Sequence, residues 1–81
     1  MTELGKQIAV VANGFVYVGE CYWKGDFLHI ENAKNIRVWG TTKGLGELIK
    51  GPTSKTVADK CGTCLVPKGQ VILFLQVVEG W

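Results

Sequence analysis

Apolar residues in the first forty positions occur in short runs that are separated by turn-forming residues. An Asn-Gly pair at 13–14 is predicted to form a two-residue turn, because both positions tolerate positive φ. A Lys-Gly-Asp sequence at 24–26 and a polar stretch at 32–35 supply the next two turns. Four short strands are therefore expected to follow one another as a meander. They are Gln7–Ala12, Phe15–Tyr22, Phe27–Glu31 and Ile36–Trp39.

The second half of the chain predicts one short helix and one long strand. Apolar residues between Thr41 and Lys50 fall at helical spacing, and a Gly-Pro pair ends the helix. Thr53–Lys68 is polar and predicts a long connection, with a short strand near Thr56–Lys60. Gln70–Glu79 is rich in β-branched and aromatic residues and predicts the longest strand.

Together these elements predict one all-β domain, residues 1–81, with about five strands and one short helix before the last strand. Eleven glycines suit many short strands joined by tight turns. Gly19 is the position at which a strand would bend. The order of elements resembles a small SH3-like or Sm-like barrel.

Both surfaces of the predicted sheet are apolar. Side chains alternate between the two faces of a strand, and in the first hairpin and the last strand neither set is polar. The first hairpin divides into Ile8, Val10, Phe15 and Tyr17 against Ala9, Val11, Val16 and Val18, and the last strand into Val71, Leu73, Leu75 and Val77 against Ile72 and Phe74. The second face is expected to be covered by the helix together with another subunit, which predicts a homo-oligomer. Coverage by loops of the same chain is the alternative.

The charge pattern and the first residues of the chain narrow the range of expected functions and locations. The net charge is +2 and no block of one sign occurs, so the basic stripe typical of nucleic-acid-binding proteins is missing. The first residues lack the pattern of a signal peptide, and no apolar run is long enough to span a bilayer. These features predict a cytoplasmic protein without membrane association, whose three cysteines are free thiols.

Several short motifs combine glycine or small polar residues with aromatic and aliphatic ones. They are Gly14-Phe-Val-Tyr-Val-Gly19, Asn32-Ala-Lys-Asn-Ile36 followed by Trp39, Leu45-Gly-Glu-Leu48 and Thr53-Ser-Lys55. These motifs resemble a family of small bacteriophage proteins of unassigned activity. The resemblance implies a phage-encoded protein that acts in the host cytoplasm, and no activity can be carried over from it.

Cys61 and Cys64 form a C-x-x-C motif, the spacing with which two thiolates bind one Zn²⁺ or form a redox pair. A structural zinc needs four ligands, and the remaining candidates within one chain are Cys21 and His29. Two cysteine pairs from two copies are another route. Incidental cysteines are the alternative interpretation, and no cofactor is otherwise predicted.

Two groups of residues are candidates for ligand or partner binding. Thr53, Ser54 and Lys55 follow Gly-Pro in a turn that could hold an anion with main-chain N–H groups, hydroxyls and an ammonium. The alternative is an ordinary solvated turn. The second group combines a cation with flat rings that suit a nucleobase or a partner's side chains, although Trp39 could equally belong to the core. Its members are Arg37, Trp39, Tyr17 and Trp23.

No residue pattern predicts catalysis, so the chain is interpreted as a binding or assembly protein rather than an enzyme. The single serine and the single histidine have no partners at informative spacing. The first hypothesis is a counter-defence protein that sequesters a nucleotide signal or blocks a host protein. The alternative is an Sm-like or SH3-like nucleic-acid-binding module. It would use Lys34, Arg37, Lys43, Lys50 and Lys55.

Overall fold

Five strands joined by tight turns and short 3₁₀ segments make up the computed structural model, which describes all residues from Met1 to Trp81. The strands are β1 (Thr2–Val11), β2 (Val16–Lys24), β3 (Phe27–Val38), β4 (Val57–Pro67) and β5 (Val71–Gln76). The 3₁₀ segments are Ala12–Gly14, Leu45–Lys50 and Lys68–Gln70. All five strands are antiparallel neighbours in one sheet, in the order β4-β3-β2-β1-β5. The predicted all-β class is confirmed.

The predicted turn at 32–35 is wrong, because β3 runs through it without interruption. Asn32 adopts φ 51°, and the pairing of β3 with β4 shifts register between Ile30 and Ala33. Asparagine tolerates this left-handed conformation better than most residues. The strand therefore absorbs an extra residue as a bulge and continues instead of ending.

The predicted long connection after residue 52 is also wrong, because it contains β4. This strand has eleven residues, of which Val66 alone is buried. The apolar pattern of this segment does not predict a strand. It is a strand because it pairs with β3 along its length. The prediction that the last strand is the longest is wrong, because β5 has six residues and is the shortest strand, whereas β3 has twelve. The Val77 N–H still donates to the Lys6 carbonyl of β1 at 3.2 Å, and the chain then leaves β1, since the Val78 N–H donates to the Ile49 carbonyl at 2.8 Å.

The helical segment predicted within 41–50 is a 3₁₀ segment, Leu45–Lys50. Gly44 and Gly51 flank it at φ 99° and 110°, a region that favours glycine. Because β4 follows it, this segment lies between the third and fourth strands. A second 3₁₀ turn, Lys68–Gln70, directly precedes β5.

The first hairpin pairs one residue out of the predicted register. A two-residue turn would place Val10 opposite Tyr17, whereas Val10 pairs with Val16 and Ile8 pairs with Val18. The connection is longer than predicted, since it contains a 3₁₀ turn. A shift of one residue exchanges the faces of a strand. Consequently Ile8 and Val10 share a face with Val16 and Val18, and the predicted grouping with Tyr17 is wrong.

Two separate hydrophobic clusters occupy the opposite faces of the sheet, which confirms that both faces are apolar. Successive β1 residues alternate between the clusters, Ile8 in one and Ala9 in the other. The inner cluster is Ala9, Val11, Cys21, Leu28, Ile30, Ala33 and Val66. The outer cluster is Ile8, Val16, Val18, Ile36 and Leu48.

The outer cluster is covered by the chain itself. Leu48 of the 3₁₀ segment is fully buried against it, and Trp81 packs beside it. The Trp81 indole N–H donates to the Leu48 carbonyl at 2.6 Å, and Lys6 Nζ donates to the main-chain oxygen of Trp81 at 2.6 Å. The expectation that this face needs another subunit therefore loses its basis, because the 3₁₀ segment and the tail cover it.

The sheet is bent, because only the three residues Lys68–Gln70 link β4 at one edge of the sheet to β5 at the other. The Lys68 N–H donates to the Asp26 carbonyl at 2.9 Å, which continues the β3–β4 pairing into the two turns. Within the chain, β4 and β5 each keep one edge without a neighbouring strand. None of the helical segments has the length and apolar character needed to cross a membrane.

Candidate functional site

The turn at 53–56 and the segment that follows β3 are held together by hydrogen bonds. Thr53 Oγ1 donates to the Gly40 carbonyl and Thr56 Oγ1 to the Trp39 carbonyl, both at 2.7 Å. A Cβ on Gly40 would lie 2.4 Å from the carbonyl carbon of Lys55, so this contact requires glycine. The structure thus brings the main chain at Trp39 next to Thr53–Lys55, which joins members of the two separately predicted groups.

The donors that an anion cradle would need are largely used inside this turn. The Thr53 N–H donates to Thr56 Oγ1 at 2.8 Å, and the Lys55 N–H donates to Thr53 Oγ1 at 3.1 Å. The side chains of Ser54 and Lys55 remain exposed. The turn therefore orients the end of β3 rather than presenting a ring of main-chain N–H groups to an anion.

Arg37 and Trp39 lie at an exposed end of the sheet. Arg37 forms an ion pair with Asp59 across β3 and β4, and both side chains are more than half exposed. Phe15 is 53% exposed and lines a shallow depression together with Arg37. This end combines flat rings with a cation, but the carboxylate of Asp59 neutralises that cation locally.

Tyr17 and Trp23 both pack against the inner cluster, and the Tyr17 ring centroid lies 6.5 Å from that of Phe15 at the end that carries Arg37. Burial, followed by the charges of Cys64 and Cys61, raises the pKa of Tyr17. Trp23 contacts Phe74 edge-on, with ring centroids 6.3 Å apart. The four residues grouped from the sequence therefore belong to at least two different surfaces.

A cavity of about 500 Å³ opens beside Trp23. Its volume lies within the range of small-molecule sites, and five of its seven lining residues are hydrophobic. The lining residues are Trp23, Gly25, Lys68, Val71, Ile72, Leu73 and Phe74. Two aromatic rings therefore form part of the walls, and Lys68 contributes the only ionisable side chain.

Among the predicted site residues, Trp23 alone lines this cavity. Sequence analysis missed Lys68 and the β5 residues. The available signal was the uncharged run in β5, which has apolar side chains on both faces. Ile72 remains 62% exposed because it is the extra residue where pairing with β1 shifts register.

Cys61 and Cys64 are brought together on β4, with their sulfur atoms 3.5 Å apart. The chain contains no group of three or more His, Cys, Asp or Glu side chains arranged to hold a metal ion. Cys21 is buried in the inner cluster, and His29 stacks on Tyr22 with centroids 4.9 Å apart. A zinc site would therefore take ligands from a second chain.

The candidate surfaces are thus an exposed aromatic end, an apolar cavity and a dithiol on an edge strand. The cavity has the largest volume of the surface depressions, and it combines mainly apolar walls with one charge. In comparisons with known proteins, no family model, curated protein or solved structure matches the chain.

Proposed function

We propose that this chain is a non-catalytic binding protein whose ligand occupies the cavity between Trp23 and Phe74. The observation that carries the proposal is the cavity itself, about 500 Å³ in volume and walled mainly by apolar side chains. Sites of this size and composition commonly hold small organic ligands, which a few polar groups orient.

The lining favours a ligand with a planar ring and an anionic group. The indole of Trp23 and the ring of Phe74 provide aromatic walls on which a flat ring packs. Lys68 provides one ammonium at the same cavity, and no acidic side chain lines it. The main-chain bond from Lys68 to Asp26 holds that turn against the hairpin. A nucleotide has both features in one molecule.

Calorimetric titration with adenosine monophosphate tests the proposal, with adenosine and inorganic phosphate as partial probes. Adenosine monophosphate is expected to bind more tightly than either probe. Lys68→Met should weaken its binding about tenfold, because one charge-assisted hydrogen bond is lost, while leaving adenosine binding unchanged. Lys55→Met, at an exposed lysine outside the cavity, is the matched control. Absence of binding by any probe, or equal affinities of the Lys68→Met variant and the wild type, would contradict the proposal.

The resemblance to small bacteriophage proteins extends this proposal to a biological role. A phage-encoded protein with such a cavity would sequester a nucleotide signal in the host cytoplasm and so counter host defence. Blocking a host protein is the other form of the same role. In that case the purified protein would bind a host polypeptide while none of the three probes enters the cavity.

A second candidate property, self-association, is favoured by the open edge of β5. This strand carries no charged residue, and Ile72 is largely exposed on it. In contrast, β4 carries Asp59 and Lys60, charges that oppose edge pairing.

Light scattering over a range of protein concentrations tests the association of two copies. The wild type is expected to form dimers, and Ile72→Lys to be monomeric because a charge on the edge opposes pairing. Val78→Lys, at a similarly exposed position outside the strand, should retain the dimer. A monomeric wild type at all concentrations would remove this property without affecting ligand binding in the cavity.

Nucleic-acid binding has weaker support from the placement of the basic residues. Of the five candidates, Arg37 is paired with Asp59, and Lys34 Nζ lies 5.9 Å from the ring centroid of Trp81. These contacts occupy two of the cations that would face a phosphate backbone. Salt-dependent retention of the protein on an RNA column would favour nucleic-acid binding over ligand binding in the cavity.

A further inference from the structure

Cys61 and Cys64 lie on the same side of β4, although residues three apart on a regular strand face opposite sides. The pairing explains this, because Ala33 lies opposite Gly62 and Lys34 lies opposite Lys60. Cys61 is therefore an extra residue, inserted at a bulge. Gly62 adopts φ 72°, which allows the local bend. The bulge brings two sulfur atoms to 3.5 Å.

The two thiols differ in accessibility. Cys61 is exposed, whereas Cys64 is half-buried and packs against the inner cluster. A disulfide needs a sulfur separation of about 2.05 Å, so the two atoms must approach by about 1.5 Å. The third cysteine, Cys21, is buried and takes no part in this contact.

We propose that Cys61 and Cys64 are a redox site that forms a reversible disulfide by exchange with small disulfides of the glutathione type. This inference is independent of the ligand in the cavity. In the first step the exposed Cys61 thiolate attacks one sulfur of glutathione disulfide. The S–S bond breaks, one glutathione leaves, and Cys61 carries a mixed disulfide.

In the second step Cys64 loses its proton to solvent and attacks the Cys61 sulfur. This forms the Cys61–Cys64 bond and releases the second glutathione. Two protein thiols are oxidised and one glutathione disulfide is reduced to two thiols, so electrons and protons balance. Burial, followed by the hydrogen bond with Cys61, raises the pKa of Cys64 to about 11. That value belongs to the dithiol. In the mixed disulfide the Cys61 thiol is gone, but burial still raises the pKa of Cys64, so the second step is expected to accelerate as the pH rises.

The test equilibrates the folded protein with buffers of varied ratio of reduced glutathione to glutathione disulfide. The samples are acid-quenched, unfolded, alkylated and measured by intact mass. The reduced chain takes three labels, and the internally oxidised chain takes one. The exchange constant for the internal disulfide should be at least about tenfold larger in folded protein than in guanidine-unfolded chain, because the fold pre-positions the sulfurs. This exchange constant should not depend on protein concentration.

Variants separate this site from general thiol oxidation. Cys61→Ser and Cys64→Ser should lose the internal disulfide and accumulate a glutathione adduct, whereas Cys21→Ser should oxidise as the wild type does. Equal constants in folded and unfolded chains would overturn the proposal, as would disulfide-linked dimers in place of the internal bond. Stoichiometric zinc in purified protein, lost in Cys61→Ser, would also overturn it by making the thiols metal ligands.

Discussion

Replacing Gly19 with alanine tests the account of the bent sheet most directly. Gly19 is buried in β2, where pairing with β3 shifts register between Val18 and Glu20. A Cβ there would lie 2.7 Å from the Glu31 carbonyl oxygen and 2.8 Å from Ile30 Cγ2. Its φ lies outside the left-handed region, so the conflict is one of space and not of backbone conformation.

The cost of the substitution follows from what the new methyl group meets. Overpacking a filled site costs about 1–3 kcal/mol, and a backbone oxygen cannot rotate away as a flexible side chain can. We therefore take the upper value, about 3 kcal/mol. Alanine also restricts the backbone of the unfolded chain more than glycine does, which offsets about 0.4–1 kcal/mol of this cost. The net loss of about 2 kcal/mol corresponds to a decrease in Tm of about 8–16 °C for a domain of this size.

Thermal unfolding followed by tryptophan fluorescence measures this loss. Gly46→Ala is the matched control, because a Cβ at Gly46 meets nothing within 4 Å and its φ is not in the left-handed region. That variant should unfold at or slightly above the wild-type temperature. If Gly19→Ala unfolds at the wild-type temperature, the close approach of β2 and β3 is not what bends the sheet.

Three further predictions concern packing, surface charge and pH. Leu48→Ala should destabilise the fold by about 2–5 kcal/mol, because its side chain is fully buried under the 3₁₀ segment; a small change in the urea midpoint would contradict that coverage. Arg37→Ala should change stability by less than about 1 kcal/mol, since its ion pair with Asp59 is exposed, and a larger loss in urea unfolding would show a structural role. Burial raises the pKa of Cys21 to about 11 from 9.0. The folded state therefore holds that proton more tightly than the unfolded state does. The contribution of Cys21 to the free energy of unfolding should be present in full below pH 9 and should be lost between pH 9 and 11. Cys21→Ala should show a smaller fall over that interval, and an equal fall would assign the effect to other groups.

The predictable part of the fold came from local signals of strands and turns. Apolar runs separated by glycine turns predicted the hairpin β1–β2 and the start of β3, and neighbouring strands along this meander do pair. The sequence also singled out Gly19, and only a residue without a side chain permits the observed approach of Ile30 and Glu31 to it. The same reasoning placed apolar side chains on both faces, as the two clusters confirm.

The part of the fold that the sequence does not predict depends on pairing between strands. The sequence of β4 contains charges, a glycine and two cysteines, and only Val66 is buried, so no period of two is visible. Its conformation follows from the neighbouring β3 backbone, which offers hydrogen-bonding groups along its length. The bulges at Asn32 and Gly62 belong to the same pair of strands, and they set which side chains meet.

The candidate site, like the fold, has one part that local sequence predicts and another part that depends on contacts between distant segments. Trp23 was recognisable as an aromatic candidate, but the cavity exists because the β2–β3 hairpin meets the turn before β5. That contact joins positions about forty residues apart, and no local pattern reports it. Conversely, the nearby candidates Trp39 and Thr53–Lys55 do come together, because their threonine hydroxyls bond to the end of β3.

Coverage of the outer cluster changes where association between copies would occur. If the apolar face required a partner, the contact would be broad and would involve Ile8 and Val16, both of which are already buried. The 3₁₀ segment and Trp81 occupy that face instead. Two backbone edges remain unpaired in the chain, and of these β5 is the one without charged residues, where Ile72 projects. Self-association through an edge is narrower and is sensitive to a single charge. One substitution at Ile72 therefore discriminates between the two kinds of contact.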